Sequence, residues 1–533
     1  MRVYYPGCDP ETDPDEKREL RLDQLEAIYR IKRELTTGSK SVLVGAGMGS
    51  GKTVVSAEVI HHTAPRRCLI VGVRDAFSQW ASTLVEQGSR RPLLKVDKTA
   101  AGKRNLAKLL AGDPGLYYSG LEMLRAQDWE TVSETVPVHE SIKAIMGDAV
   151  GDMTIPAKRA VQKHTYATMP PVDLLISDES HRHANQQTAS LKTIGSLAAH
   201  AKIALSGTFF GNKFENAWAL TTWLWGKDIV GTKGRFERDY CVKVALMTKD
   251  GRKQLKTPSG FGLSKILGER NPGEYVETLP CYVFIATPIG PVPKPEIVKI
   301  TLSVEQQRQY DEMLNQNLTW IPTSISEVRE PLVADLTIIQ RQRLRTASLG
   351  GMTLVPGISE EDADSIRFDA GCKSSTLTAA HQVLHRPDWV GQKVLILTHS
   401  KQYALEVARR IGQKYTVALK VGGVTAKNWE IDKASFMQPV SETNSVQYLV
   451  AVISAVGTAM DGLQANCSRV LWLSEDDSNV NNIQAANRIW RDGVDLSTYA
   501  AVKIVQQDTI AEGILVKNSV HKQMVLDSVA GAQ

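Results

Sequence analysis

Six short apolar runs punctuate the chain, each closed by small, polar or charged residues. They begin at SVLV (Ser41 to Val44), PVDLLIS (Pro171 to Ser177) and KIALS (Lys202 to Ser206). They continue with QKVLILTHS (Gln392 to Ser400), YLVAVISAV (Tyr448 to Val456) and RVLWLSE (Arg469 to Glu475). Each is a few residues long and lacks the alternation of a half-solvated strand. Runs of this kind predict strands buried on both faces. Between them lie stretches with helical periodicity, such as KQYALEVARRI (Lys401 to Ile411). Strands alternating with helices predict a parallel α/β architecture, and the two groups of runs predict two such domains. Near the end, NIQAANRIWRDG places Gln484, Arg488 and Arg491 at i, i+4 and i+7, one face of a predicted helix. Taken alone, that face reads best as a solvated stripe.

With 533 residues the chain is long enough for two to four domains. Hydrophobic residues at 42% and charged residues at 23% are ordinary for a globular protein. The formal net charge of +5 is compatible with nucleic acid without arguing for it. The six cysteines are scattered with no C-x-x-C pair, which argues against a disulfide framework and a cysteine-zinc site. The first residues are acidic and lack an apolar signal core, and no run approaches the ~18 apolar residues of a membrane helix. The expected location is cytoplasmic.

Candidate chemistry starts after the first run. SVLVGAGMGSGKTVVSAEVI reads as strand, glycine-rich turn, then helix, the context in which G-K-T becomes a phosphate-binding loop. Glycines at Gly47, Gly49 and Gly51, with Ser50, let backbone N–H groups converge on phosphate oxygens. Lys52 would reach the β- and γ-phosphates and Thr53 would hold Mg²⁺. Ala46 stands where the strict pattern has its first glycine. The plain alternative is a glycine turn with a surface lysine.

DESHRHAN (Asp178 to Asn185) follows PVDLLIS, which puts Asp178 and Glu179 at the carboxyl end of a strand, where open α/β sheets bind ligands. With a phosphate loop upstream, Asp178 would join the Mg²⁺ shell and Glu179 would orient and deprotonate a water. His181 and His183 form only part of a metal site, with no third ligand at suitable spacing. His181 reads better as a link from the nucleotide site to the next loop, LSGT. Ser206, Gly207 and Thr208 end that run and offer hydroxyls to the acid cluster.

The motifs AGMGSGKT, DESH, LSGT and QAANRIWR, in that order, resemble motifs I, II, III and VI of superfamily 2 helicases, in particular the SWI/SNF-type translocase branch. Gln24 in RLDQLEAI looks like the adenine-reading glutamine of the branch. CLIVGVRDAFSQWAS, including Trp80, resembles motif Ia, and YYSGLEMLR resembles motif Ib. GTAMDGLQANCSRVLW resembles motif V. DLTIIQRQRLRTASLGG resembles the linker helix with its arginines, and DTIAEGILVKNSVHKQMVLDSV the closing helix. The resemblance covers about Leu22 to Val529. Phe209 and Phe210, Asn487 and Trp490 depart from the branch pattern, as does CYVFIATPIGPVPKPEI, which lacks paired arginines.

This resemblance implies two RecA-like lobes in tandem, with ATP and Mg²⁺ between them and nucleic acid across both. Lobe one would supply Gln24, Lys52, Thr53, Asp178 and Glu179; lobe two would supply Gln484, Arg488 and Arg491, the arginines as fingers. The expected boundaries are a tail at 1–20, lobe one at 21–295 with inserted loops near 126–170 and 226–270, a linker and helical insertion at 296–370, and lobe two at 371–533. No accessory domain is expected to flank the core. The inserted loops are candidates for phosphate contact: Lys143, Lys158, Arg159, Lys163 and His164 in the first; Lys233, Arg235, Arg238, Lys243, Lys249, Arg252, Lys253 and Lys256 in the second. Solvated loop surface is the alternative. Trp218, Trp223 and Trp225 read as core rather than as stacking platforms. The expected activity is nucleic-acid-stimulated ATP hydrolysis driving translocation on double-stranded DNA. A strand-separating DNA or RNA helicase and an ATP-gated clamp remain open.

Overall fold

The structure is a computed structural model that describes residues 19–47, 49–137, 154–166, 169–184, 189–207, 211, 213–245, 254, 264–323, 326–334, 336–358, 365–368, 374–424, 426–440, 446–456 and 462–530. Clustering of contacts divides the chain into two compact units. The first holds Met1–Val44, Thr53–Phe209 and Asn216–Lys233; the second holds Gly45–Lys52, Phe210–Glu215 and Gly234–Gln533. This division falls near 233, whereas the sequence expectation put the end of lobe one at 295.

The first unit opens with helix α1 (Leu22–Thr37), then β1 (Ser41–Ala46), α2 (Lys52–Thr63) and β2 (Arg67–Val71). Helix α3 (Phe77–Glu86), β3 (Leu93–Val96) and β4 (Gly115–Ser119) follow. After an antiparallel ribbon of β5 (Arg125–Pro137) and β6 (Thr154–Tyr166) come β7 (Val172–Ser177), β8 (Ala199–Ser206) and α4 (Asn216–Trp225). Six strands run in the order β1-β8-β7-β2-β4-β3. The β8–β7, β7–β2, β2–β4 and β4–β3 pairings are parallel. Strands β1 and β2 are buried along their whole length, as runs without alternation require. Helix α2 is buried from Thr53 to Ile60, and a helix enclosed all round carries apolar residues all round.

The second unit contains a hairpin, β9 (Cys241–Ala245) with β10 (Ser264–Glu269), then β11 (Tyr282–Ile285) and β12 (Glu296–Ile300). A four-stranded sheet follows: β13 (Leu318–Thr323), β14 (Ser326–Val333), β15 (Thr353–Leu354) and β16 (Ile366–Arg367), with helix α5 (Thr337–Leu349). The last strands are β17 (Val394–Thr398), β18 (Val417–Lys420), β19 (Tyr448–Val452), β20 (Arg469–Trp472) and β21 (Ala500–Gln506). Helix α6 (Asn479–Ala486) lies between the last two strands and α7 (Ile510–Ala530) closes the chain. The main sheet runs β12-β21-β20-β17-β19-β18, with all five pairings parallel. Its two faces carry separate apolar cores, one around Tyr403 and Val450, the other around Phe436 and Trp472. Two parallel sheets flanked by helices are the tandem RecA-like lobes expected.

Three details correct the sequence reading. Residues 296–300, assigned to the linker, form β12 and hydrogen-bond along β21 as part of the main sheet. The segment 126–170 is not simply a loop: β5 and β6 pair in unbroken register from Arg125↔Tyr166 to Pro137↔Thr154. The β-branched, polar-alternating TVSETV is the local reason. The linker region is also more than helical, since it folds its own small core from Tyr310, Met313, Ile321, Leu332 and Leu344.

Candidate functional site

In the first unit the site grows from the carboxyl end of β7. The chain leaves the sheet at Ser177, and the Asp178 N–H still donates to Val71 O of β2 at 2.8 Å. Asp178 is buried, and its carboxylate accepts on both oxygens. Oδ1 takes the N–H of Glu179 at 3.0 Å, and Oδ2 takes the indole N–H of Trp80 at 2.9 Å. Glu179 adopts φ +50°, a left-handed conformation costly for a residue with a Cβ. That turn feeds a short 3₁₀ segment, Ser180–His183, and brings His181 back over the acid. His181 Nδ1 lies 3.3 Å from Glu179 Oε2 and 3.0 Å from the hydroxyl of Ser206 at the end of β8. Trp80, Asp178, Glu179, His181 and Ser206 are therefore one connected polar cluster on a parallel-sheet edge. Thr208, Phe209 and Phe210 lie outside the described residues.

His183 is a different matter. Both its ring nitrogens are buried without a hydrogen-bond partner among the described residues. Burial pushes its pKa down to about 3, with His181 and Arg182 adding to the shift. A neutral imidazole results. Among the described residues no group of three or more His, Cys, Asp or Glu side chains could hold a metal.

Gln24 is buried on the first turn of α1, and its Oε1 accepts the N–H of Arg21 at 3.0 Å. Its acceptor end thus caps the helix. Thr53 is buried in the first turn of α2.

The glycine loop and the motif VI arginines fall in the second unit. Gly49 has φ +78° and Gly51 φ +87°, conformations that favour glycine over any residue with a Cβ. Between them Ser50 is fully buried, and its N–H donates to Gly47 O at 3.1 Å. Lys52 is the first residue of α2. Left-handed glycines leading into a helix N-terminus are the conformation a phosphate cradle needs.

Gln484, Arg488 and Arg491 do not share a helix face. Helix α6 carries Gln484, buried, but ends at Ala486. Beyond it the backbone tightens: Arg488 N–H donates to Ala485 O and Ile489 N–H to Ala486 O. The Asn487 amide donates to Ile483 O at 2.8 Å, competing with the helical ladder, and Gly493 takes φ +89°. Arg488 is buried, its Nε donating to Val456 O at 3.1 Å just before the GTAMDG stretch. Arg491 Nε donates to Asn487 O at 2.7 Å. A three-residue offset on a helix wheel carried no information once the helix stopped.

A second cluster lies at the end of β20. Arg345 of α5 donates through Nη1 to Asp477 Oδ2 at 2.7 Å and through Nη2 to Glu475 O at 2.8 Å. Arg341 pairs with the other Asp477 oxygen at 2.5 Å. Asp477 immediately precedes Ser478, the residue that caps α6. Sequence reading had only the arginines' resemblance to a linker helix; their partner lies more than a hundred residues away and has no local signature.

The candidate nucleic-acid residues are less informative. Arg235 and Arg238 flank Asp239, and Lys243 pairs with Glu237 at 2.6 Å. Lys143, Lys249, Arg252, Lys253 and Lys256 lie outside the described residues. The tryptophans of α4 turn inward. Trp218 donates to Gly231 O, Trp223 to Ile194 O, and Trp225 to Ser41 O.

Comparison with known proteins gives three likenesses. The family model described as type III restriction enzyme, res subunit, matches residues 17–211. The "DNA excision repair protein ERCC-6-like" of Mus musculus is 21% identical over 407 residues, 67% of this chain and 32% of the relative. The chain thus spans about a third of that relative's length. The Sulfolobus solfataricus SWI2/SNF2 ATPase core in complex with dsDNA superposes with a TM-score of 0.35 at 14% identity, covering 97% of this chain and 95% of that one. That superposition is too loose to add to what the two sheets establish. No helix among the described residues is long and apolar enough to cross a membrane.

Proposed function

We propose, from the premise that the chain belongs to superfamily 2 and to its SWI/SNF-type branch, that it hydrolyses ATP to move along double-stranded DNA. The observation that carries the reading is the cluster of Asp178, Glu179, His181 and Ser206 at one sheet edge. A carboxylate held next to an imidazole, which is itself held by the next strand's terminal hydroxyl, is a base whose position depends on that strand.

The residues fit magnesium-bound ATP. Gly49 and Gly51 hold the left-handed turn a phosphate cradle needs, and Thr53 and Asp178 are the hard oxygen donors that magnesium prefers. When bound, the ion would neutralise charge on the β- and γ-phosphates. Lys52 would hold the terminal phosphates as a point charge. Glu179 orients the attacking water and takes its proton. His181 Nδ1, 3.3 Å from Glu179 Oε2, would help to position that carboxylate. Gln24, buried on the first turn of α1, would read the adenine ring. Arg488 and Arg491 would stabilise the charge that develops on the γ-phosphate.

The test sets DNA-stimulated ATPase beside two displacement assays on one preparation. Duplex translocation predicts ATPase stimulated by double-stranded DNA, displacement of a triplex-forming third strand, and no separation of a short duplex. Separation of the duplex would replace this reading with a helicase. DNA binding gated by ATP without turnover would replace it with a clamp.

A further inference from the structure

We propose that Trp80 is a positioning residue for the magnesium site: its indole N–H fixes the Asp178 carboxylate in the orientation that binds the ion. The inference rests on the reading of the Asp178 site as a magnesium–nucleotide site, and it adds a residue that does not touch the nucleotide.

Trp80 is fully buried on α3, a helix that packs through Trp80, Thr83 and Leu84 while Ser78, Gln79 and Ser82 face solvent. Its Nε1 lies 2.9 Å from Asp178 Oδ2, and the contact is buried. The other carboxylate oxygen is held by the Glu179 N–H at 3.0 Å. Two donors on the two oxygens define the carboxylate plane and remove its freedom to rotate. An indole N–H suits this role because it can only donate. It cannot compete for the ion, and it cannot change protonation state with pH. A large aromatic body also locks the donor in place, because α3 and the strand ends enclose it.

Hydrogen-bond partners of metal-binding carboxylates typically contribute 10–100-fold in metal affinity. The effect of removing the N–H should therefore appear in the ion, and not in the nucleotide alone. It should also depend on Asp178. A role in packing would predict neither.

The experiment titrates Mg²⁺ against binding of a fluorescent ADP, followed by anisotropy, with a parallel series in EDTA. Trp80→Phe removes the donor. Incorporation of 3-benzothienyl-alanine at position 80 replaces the N–H with sulfur at nearly constant shape, and keeps the test valid if the phenylalanine variant folds poorly. Leu84→Met perturbs packing on the same helix. We expect half-saturating Mg²⁺ to rise about tenfold in both Trp80 variants, with binding in EDTA and the Leu84→Met titration unchanged. In an Asp178→Asn background, Trp80→Phe should add nothing further. A wild-type Mg²⁺ titration in the benzothienyl variant overturns the proposal, as does an equal loss in EDTA. If the wild-type protein binds no ADP under any condition, the nucleotide reading itself fails, and the proposal with it.

Discussion

His181 Nδ1 lies 3.0 Å from the Ser206 hydroxyl, joining the segment after β7 to the end of β8. The same nitrogen stands 3.3 Å from Glu179. Ser206→Ala should therefore loosen the base without touching nucleotide contacts. A typical hydrogen bond contributes about 0.5–1.5 kcal/mol net, so kcat should fall up to about tenfold. ATP affinity, read by equilibrium binding, should stay within about twofold. A Ser206→Ala enzyme with unchanged kcat would show that the hydroxyl only fills space.

Lys52 and Glu179 separate binding from chemistry. Lys52→Ala removes a charge-assisted phosphate contact and should abolish turnover and weaken ATP binding. Glu179→Gln keeps the shape and the left-handed backbone, so ATP binding should persist while hydrolysis is lost. Single-turnover assays with radiolabelled ATP distinguish the two. Normal turnover in Lys52→Ala would remove the phosphate-loop assignment.

His183 gives a pH dependence. Its pKa is about 3 in the folded protein against an ordinary value of 6.5. Between those values the unfolded chain binds the extra proton and the folded one does not. Stability is thus complete above about pH 6.5 and falls as pH drops toward 3, by up to about 1.4 kcal/mol per pH unit for this one group. Buried His399, whose pKa is lowered by burial and then by Arg345, acts in the same direction. Denaturant midpoints measured from pH 7 to 4 should decline less steeply in His183→Phe than in the wild type. Equal slopes would place the acid sensitivity elsewhere. Chelator treatment should leave wild-type stability unchanged, since among the described residues no group of three or more His, Cys, Asp or Glu side chains could hold a metal.

What the sequence made legible follows from range. Strands β1, β7, β8, β17, β19 and β20 were visible because burial on both faces writes itself as a local apolar run. Asp178 and Glu179 were visible because an acid pair at such a strand end is rare and local. The Trp80–Asp178 bond was not, since it joins residues 98 apart in the chain and a tryptophan in an apolar helix looks like core. The Arg345–Asp477 pair, 132 residues apart, was hidden for the same reason. The failed element was α6. The i, i+4, i+7 spacing of Gln484, Arg488 and Arg491 matches a helix, yet Asn487 caps it at Ile483 O and the arginines fall on turns. Periodicity counts positions; it does not register a side chain that competes for the backbone.

Those turns sharpen the prediction for Arg491. A side chain on a turn is placed by its own contacts, here Nε on Asn487 O at 2.7 Å. Arg488 is anchored separately on Val456 O. The two arginines are held by different elements, so neither should replace the other fully. If Arg491 meets the γ-phosphate only when the lobes close, it stabilises the transition state more than bound ATP. Arg491→Ala should then lower kcat with little change in nucleotide affinity. Arginine fingers elsewhere contribute about 10³–10⁵ in rate; at least about tenfold is expected here, because Arg488 compensates in part. Arg491→Lys should not rescue, since an ammonium lacks the planar fork that directs separate donors at Asn487 O and at a phosphate oxygen. DNA should stimulate the wild type strongly and Arg491→Ala weakly if DNA binding delivers the arginine to the phosphate. Steady-state ATPase across a DNA titration reads both effects. Normal DNA-stimulated turnover in Arg491→Ala would leave this arginine a surface residue of the second lobe and remove lobe closure as the source of DNA stimulation.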